Sequence, residues 1–195
     1  MARYDAIGAI TSALAATLDA AAKSDGELDE ELSAVALTPA KLAEGLQPQT
    51  RVLGLWLYAV SPNAQRRALH RPRTGEERRL PGTAVDLHYL LIARAEDPIT
   101  QQKVLGWGIR TLEDNASLPP AVLNVGAFEN CFHDDETIQL TLEPLTAAEE
   151  NDIWQVAQTA RVPAAPYLVR QVALDSTRTL PEERSVAERD VAVRA

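Results

Sequence analysis

The side chains best suited to chemistry stand in one short run, Cys131-Phe132-His133-Asp134-Asp135-Glu136. A thiol, an imidazole and a carboxylate are the parts of a nucleophilic site, but catalysis needs them to converge in space with the base held by an orienting group. Adjacency along the chain does not supply that, and the run reads as a polar loop. The plainer expectation is a semi-buried thiol beside solvated charges. The same residues could be offered to a metal, yet C-x-H-D-D-E has neither zinc-site nor EF-hand spacing. The remaining histidines are His70, within an arginine-rich stretch, and His88, between Leu87 and Tyr89. A ring in the second position is expected to be packed and hydrogen-bonded rather than a ligand. No G-x-G-x-x-G follows a strand and no G-x-x-x-x-G-K-[ST] occurs, while Gly106-Trp107-Gly108 lies inside a helical pattern and cannot cradle a phosphate. No catalytic, cofactor-binding or metal-ligating residue is therefore assigned, no cofactor is expected, and the chain does not read as an enzyme.

The sharpest charge feature is a loop from Ala64 to Gly82 rich in arginine, proline and glycine. Arg66, Arg67, Arg71, Arg73, Arg78 and Arg79 face only Glu76 and Glu77 there, so the loop carries +4 and the rest of a −9 chain carries −13. Three readings stand side by side: a nucleic-acid contact, a solvated loop, and an interface that pairs with an acidic neighbour. Gln65 to Gly82 contains no aromatic platform for base stacking. Segregated charge within one chain suits pairing with a neighbour, and the six arginines are the candidate interface.

The whole composition narrows the partners further. A net charge of −9 opposes broad nucleic-acid binding, which needs a positive footprint, and opposes anionic membranes. The single cysteine forms no intrachain disulfide and fits a reducing cytoplasm. No apolar run reaches the ~18 residues of a membrane span. The apolar, Ala-rich stretch from Ala6 to Ala22 mimics a signal peptide, but Asp5 beside it, Asp19 within it and the periodic spacing of its large residues speak for a helix.

The elements that must carry these residues follow from periodicity. Ile7, Ile10, Leu14 and Leu18 mark an amphipathic helix from Tyr4 to Ala22. An acidic linker from Ser24 to Glu31 comes next. Arg51 to Ser61 is a near-continuous apolar run, as in a strand buried on both faces. A second strand covers Ala84 to Ala95, and a helix covers Thr100 to Asp114 with Val104, Trp107 or Gly108, and Leu112 inward. Gly106 and Gly108 are costly in a helix, which suggests close packing on the sheet. Leu118 to Phe132 reads as irregular, with Pro119-Pro120 excluding regular structure at its start. Thr137 to Leu142 alternates, with Ile138, Leu140 and Leu142 on one side. Thr146-Ala147-Ala148-Glu149 is a capping box opening a helix to about Gln158, with Ile153, Trp154 and Ala157 inward. Pro163 and Pro166 end that helix, and Tyr167 to Leu174 is the last strand. Trp56 and Trp107 are expected core residues. The fold class is α/β (α+β), a mixed β-sheet with helices packed on it. Residues 1–176 form one domain, and 177–195 form a charged tail, disordered or ordered only by a partner.

Several segments, taken in order, resemble a known family. They are the helix around Tyr4-Asp5-Ala6-Ile7, Val52-Leu53-Gly54-Leu55-Trp56-Leu57-Tyr58 running into Val60-Ser61-Pro62-Asn63, and Asp86-Leu87-His88-Tyr89-Leu90-Leu91, whose first four residues are the most distinctive. Val104-Leu105-Gly106-Trp107 leading to Leu112-Glu113-Asp114, the Thr146 to Trp154 helix, and Tyr167 to Ser176 complete the set. Together they resemble the cap, or tail-terminator, subunits of extracellular contractile injection systems, the phage-tail-like particles that include the antifeeding prophage and related virulence cassettes. The resemblance covers Met1 to Ser176. It implies a phage tail-terminator-like fold and a homo-oligomer, a hexameric ring. Such a ring sits on the end of the inner tube and sheath, stops their growth and joins one to the other. With the cysteine and charge readings above, the expected setting is cytoplasmic assembly as part of a particle that can be released, with sheath and inner-tube proteins as partners and no nucleic acid or membrane. An adaptor that attaches another component to such a particle is the alternative.

Overall fold

The computed structural model describes residues 3–24, 32–43, 51–63, 80 and 82–178. The apolar spacing of the N-terminal segment yields helix α1, Ala6–Ser24, with Ile10, Leu14 and Leu18 fully buried along one stripe. Strand β1, Leu32–Ala36, and the short helix α2, Pro39–Ala43, follow. Sequence patterning did not mark either. Leu-Ser-Ala-Val-Ala is too short and too poor in β-branched residues to signal a strand, so pairing with β2 decides its state.

The apolar run becomes β2, Arg51–Pro62, and the next becomes β3, Thr83–Arg94. Helix α3 spans Pro98–Asp114. Its N-cap Asp97 accepts from the Ile99 and Thr100 amides, and Pro98 occupies a first-turn position where no amide bond is lost. Ser117–Leu118 is a two-residue strand, β4, and Pro120–Leu123 is a single helical turn, α4. The Pro119-Pro120 pair thus starts a helix instead of excluding one, because a proline at the first helical position forfeits nothing. A 3-10 turn at Gly126–Phe128 leads to β5, Ile138–Leu142. Helix α5, Ala147–Ala157, opens on the expected capping box, with the Thr146 side chain accepting from the Glu149 amide and the Glu149 carboxylate accepting from Thr146. Strand β6, Ala164–Leu174, begins three residues before the sequence-based boundary and contains Pro166. That proline donates nothing, but its carbonyl accepts the Glu143 amide at 3.0 Å.

The six strands of the described residues form one mixed sheet in the order β1-β2-β3-β6-β5-β4, in which, among them, only β1 and β2 run parallel. This is the α+β architecture expected from the sequence. Helices α1, α3 and α4 cover one face, burying Leu53, Leu55, Leu87, Tyr89, Leu91 and Tyr167 among others. Helices α2 and α5 cover part of the other, packing Leu42, Trp154 and Ala157 against Trp56, Leu90 and Ile92. The first half of β2 is therefore buried on both faces, as its continuous apolar run requires, whereas Val60 beyond it is 47% exposed. Ile138 and Leu140 point inward, but Leu142 is exposed, because β5 leaves the covered part of the sheet there. Gly108 packs as expected: a Cβ there would lie 2.9 Å from Leu53 Cδ1. Gly106 does not, for it faces solvent with nothing within 4 Å of an added Cβ.

Candidate interaction site

Asp86-Leu87-His88-Tyr89 sits where both neighbouring strands slip out of register. On one side β2 inserts Tyr58 between Leu57, paired with Tyr89, and Ala59, paired with His88. On the other side β6 places Arg170 and Gln171 opposite Asp86 alone, between the Val169–Leu87 and Val172–Val85 pairs. Each is a β-bulge, which bends a strand and re-aims its side chains. The second has Gln171 at φ 59°, a left-handed conformation that is costly for a non-glycine residue. Asp86 holds it there. Its Oδ1 accepts the Gln171 amide at 2.8 Å, and its carboxylate accepts the Asn63 side-chain amide at 2.9 and 3.0 Å. One acidic residue thereby fastens β6 to the end of β2 across β3.

His88, two residues on, projects from the same face. Its Nε2 lies 2.8 Å from Ser61 Oγ and its Nδ1 3.8 Å from Glu143, which also pairs with Arg170 at 3.5 Å. The Tyr58 ring packs at a tilt of 53° against the imidazole, with 5.9 Å between centroids. Burial, then the charges of Glu143 and Glu149, push the Tyr58 hydroxyl above its usual range. The result is a polar shelf on the part of the sheet that α2 and α5 leave uncovered, and the strand histidine is packed and hydrogen-bonded there. Tyr89 points to the opposite face, where its hydroxyl meets Thr11 Oγ1 at 2.8 Å and ties α1 to the sheet. Burial raises that phenol to about 12.

The loop residues separate. Cys131 is buried, and its thiol donates to Asp5 Oδ1 at 3.1 Å. Burial, reinforced by the Asp5 carboxylate, raises it to about 12, the reverse of what a nucleophilic cysteine needs. His133 is exposed and lies 4.0 Å from Asp175. Thiol and imidazole thus face different carboxylates on different elements. Among the described residues no three of His, Cys, Asp and Glu come together as metal ligands would, and no helix is long and apolar enough to cross a membrane. A cleft of about 420 Å³ opens between α5 and the start of β6, lined by Leu90, Leu105, Ile153, Trp154 and Pro166, with the Glu150–Arg161 ion pair on its wall.

Arg66, Arg67, Arg71, Arg73, Arg78 and Arg79 lie outside the described residues, as do His70, most of the acidic linker and residues 179–195. The structure therefore brings together a set the sequence did not single out as a site: Ser61, Asn63, Glu143, Arg170 and Gln171 around Asp86 and His88. The available signal was an aspartate inside a mostly apolar strand, since such a residue needs partners wherever it is not fully solvated.

Residues 9–188 match the family described as the Pvc16 N-terminal domain. No curated protein sequence matches the chain. Among solved structures, the sheath/tube terminator of PVC, an extracellular contractile injection system, in its extended state is similar over 96% of this chain, with a TM-score of 0.55 and 16% identity. The chain spans 65% of that structure's length. The tube-terminating cap of the anti-feeding prophage is similar over 72% of this chain and 50% of its own, with a TM-score of 0.45 and 15% identity.

Proposed function

The chain belongs to the Pvc16 N-terminal domain family, and from that premise we propose that it is a cap, or terminator, subunit of a contractile injection particle. The observation that carries this reading is the fold it shares, along 96% of its length, with a sheath/tube terminator. Copies of the chain assemble as a ring, six by the resemblance, on the last ring of inner tube and sheath, stop both from growing and join them. Terminating a polymer takes a surface that pairs with the last subunit and no equivalent surface beyond it. Assembly takes place in the cytoplasm, with tube and sheath proteins rather than nucleic acid or membrane as partners. The work is mechanical and no bond is made or broken: Cys131 is buried against Asp5, and His133 pairs elsewhere.

The arginine segment is the proposed contact. Its +4, set against −13 on the rest of the chain, lets an acidic neighbouring subunit attract it. Reversing Arg66, Arg67, Arg78 and Arg79 to Glu should weaken ring formation or capping and leave monomer stability nearly unchanged. Electron micrographs of particles made with the reversed chain, or without it, should show irregular tube and sheath lengths. Uniform lengths without the chain would overturn the terminator reading. A chain that joins particles without setting their length would be an adaptor. Uniform lengths with the reversed arginines alone would move the capping surface elsewhere on the molecule.

A further inference from the structure

A sheet ends in two strands whose outer N–H and C=O groups can recruit a strand from another chain. Among the described residues the outermost strands of this sheet are β1 and β4. Strand β4 is two residues long and runs into Pro119 and Pro120, which have no N–H to offer. It covers the start of β5, whose next outward amide, that of Leu140, bonds to the Ala116 carbonyl at 2.8 Å. That edge is blunt.

Strand β1 is the open question. It has five residues, pairs among the described residues only with β2, and keeps an uninterrupted register along its whole length. The amide of Leu37, just past its end, bonds to the Leu55 carbonyl of β2 at 2.9 Å. Bonding direction alternates along a strand, so Ser33 and Val35 also turn toward β2, and Leu32, Ala34 and Ala36 turn outward. Ala34 is the centre of that outward row. Its amide donates to Asp19 Oδ1 of α1 at 2.6 Å, a short, charge-assisted bond.

We propose that Asp19 is an edge guard: its carboxylate occupies the central outward amide of β1 and closes this edge to strand addition by a second copy of the chain. An incoming strand would need that amide for its own carbonyl and would have to displace an anion whose negative charge also repels the strand's carbonyl oxygens. Side-chain identity matters at this position, because Asp19 interrupts the Ala-rich helix next to the buried Leu18 and no packing requirement calls for a charge there. Any homo-oligomer the chain forms then has to use other surfaces. The inference stands on the sheet geometry and holds whether or not the chain caps a particle.

Backbone hydrogen exchange on the native protein gives a test that needs no variant. The Ala34 amide should exchange at least about tenfold more slowly than that of Ala36, the outward amide at the strand's end. Equal rates would overturn the proposal. Asp19→Ala should then speed Ala34 exchange and promote concentration-dependent self-association in sedimentation, at unchanged helix content. Asp19→Asn, which keeps an acceptor oxygen, should fall between Asp19→Ala and the native chain in both measurements. If Asp19→Ala exchanges faster at Ala34 yet sediments as the native protein does, Asp19 is a helix-to-strand tether and not a guard, and the proposal fails. If Asp19→Ala does not fold, Asp19→Asn decides by the same two measurements.

Discussion

Asp86 shows how one carboxylate settles a local conflict. The β6 bulge turns the Gln171 amide out of the ladder and holds its backbone at φ 59°. Without the carboxylate, the Gln171 amide loses its 2.8 Å bond and the Asn63 side chain its bonds at 2.9 and 3.0 Å. Asp86→Ala should therefore cost about 1–3 kcal/mol, the usual contribution of hydrogen bonds to a charged acceptor. Gln171→Gly should stabilise the native chain, because glycine takes the left-handed conformation without strain. Denaturant unfolding of both variants checks the pair of signs, and a neutral Asp86→Ala would mean that water replaces the carboxylate. Cys131 yields a separate expectation. A thiol raised to about 12 by burial and by Asp5 carries almost no thiolate near neutral pH. It should resist maleimide at about pH 7.5 in the native protein and react fully in denaturant, and fast native labelling would contradict its placement. Replacing both Cys131 and His133 by Ala should leave particle assembly intact if the chain is a cap as proposed.

Helix α3 carries two glycines whose environments differ, and they should respond with opposite signs. Gly106 faces solvent with open space around it, so Gly106→Ala should stabilise by about 0.5–1 kcal/mol through helix propensity. Gly108 lies on the sheet, where a methyl group would press on Leu53 and Leu91, both fully buried. Gly108→Ala should destabilise by about 1 kcal/mol or more from overpacking. Thermal melts of the two variants side by side test the assignment, and a shared sign would show that α3 is rotated about its axis. Trp107 anchors the same helix in the same core, and Trp107→Ala should cost about 3–5 kcal/mol. Trp56 plays the matching part on the other face, where it tilts against Trp154 with ring centroids 6.4 Å apart.

At the scale of the molecule, one sheet with helices on both faces accounts for the buried core among the described residues. The last ladder pair of β6 joins Leu174 to Thr83, and beyond it the Arg178 carbonyl accepts the Leu80 amide at 2.9 Å. A chain ending at Arg178 should accordingly keep the melting midpoint of the longer one within about a degree or two. A large drop would mean that 179–195 complete the core. Comparing the two chains for control of tube length then shows whether those residues serve assembly.

Much of this was legible in the residues. The amphipathic spacing of α1, the apolar runs of β2 and β3, the capping box of α5 and the inward set Val104, Trp107 and Leu112 are local patterns, and the elements form where those patterns place them. The ordered segments also pointed to the family, because an ordered set of short motifs is more specific than any single one. Other features are decided by contacts between elements distant in the sequence. Leu-Ser-Ala-Val-Ala becomes a strand because β2 offers a parallel edge and Asp19 a carboxylate. Gly106 and Gly108 read alike until the sheet lies under one of them. Asp86 and His88 looked like one motif, yet the first holds a bulge and the second joins a polar shelf with Ser61 and Glu143. Composition and periodicity record which face of an element is apolar, whereas bulges, edges and polar partners depend on register between strands that only the closed sheet sets.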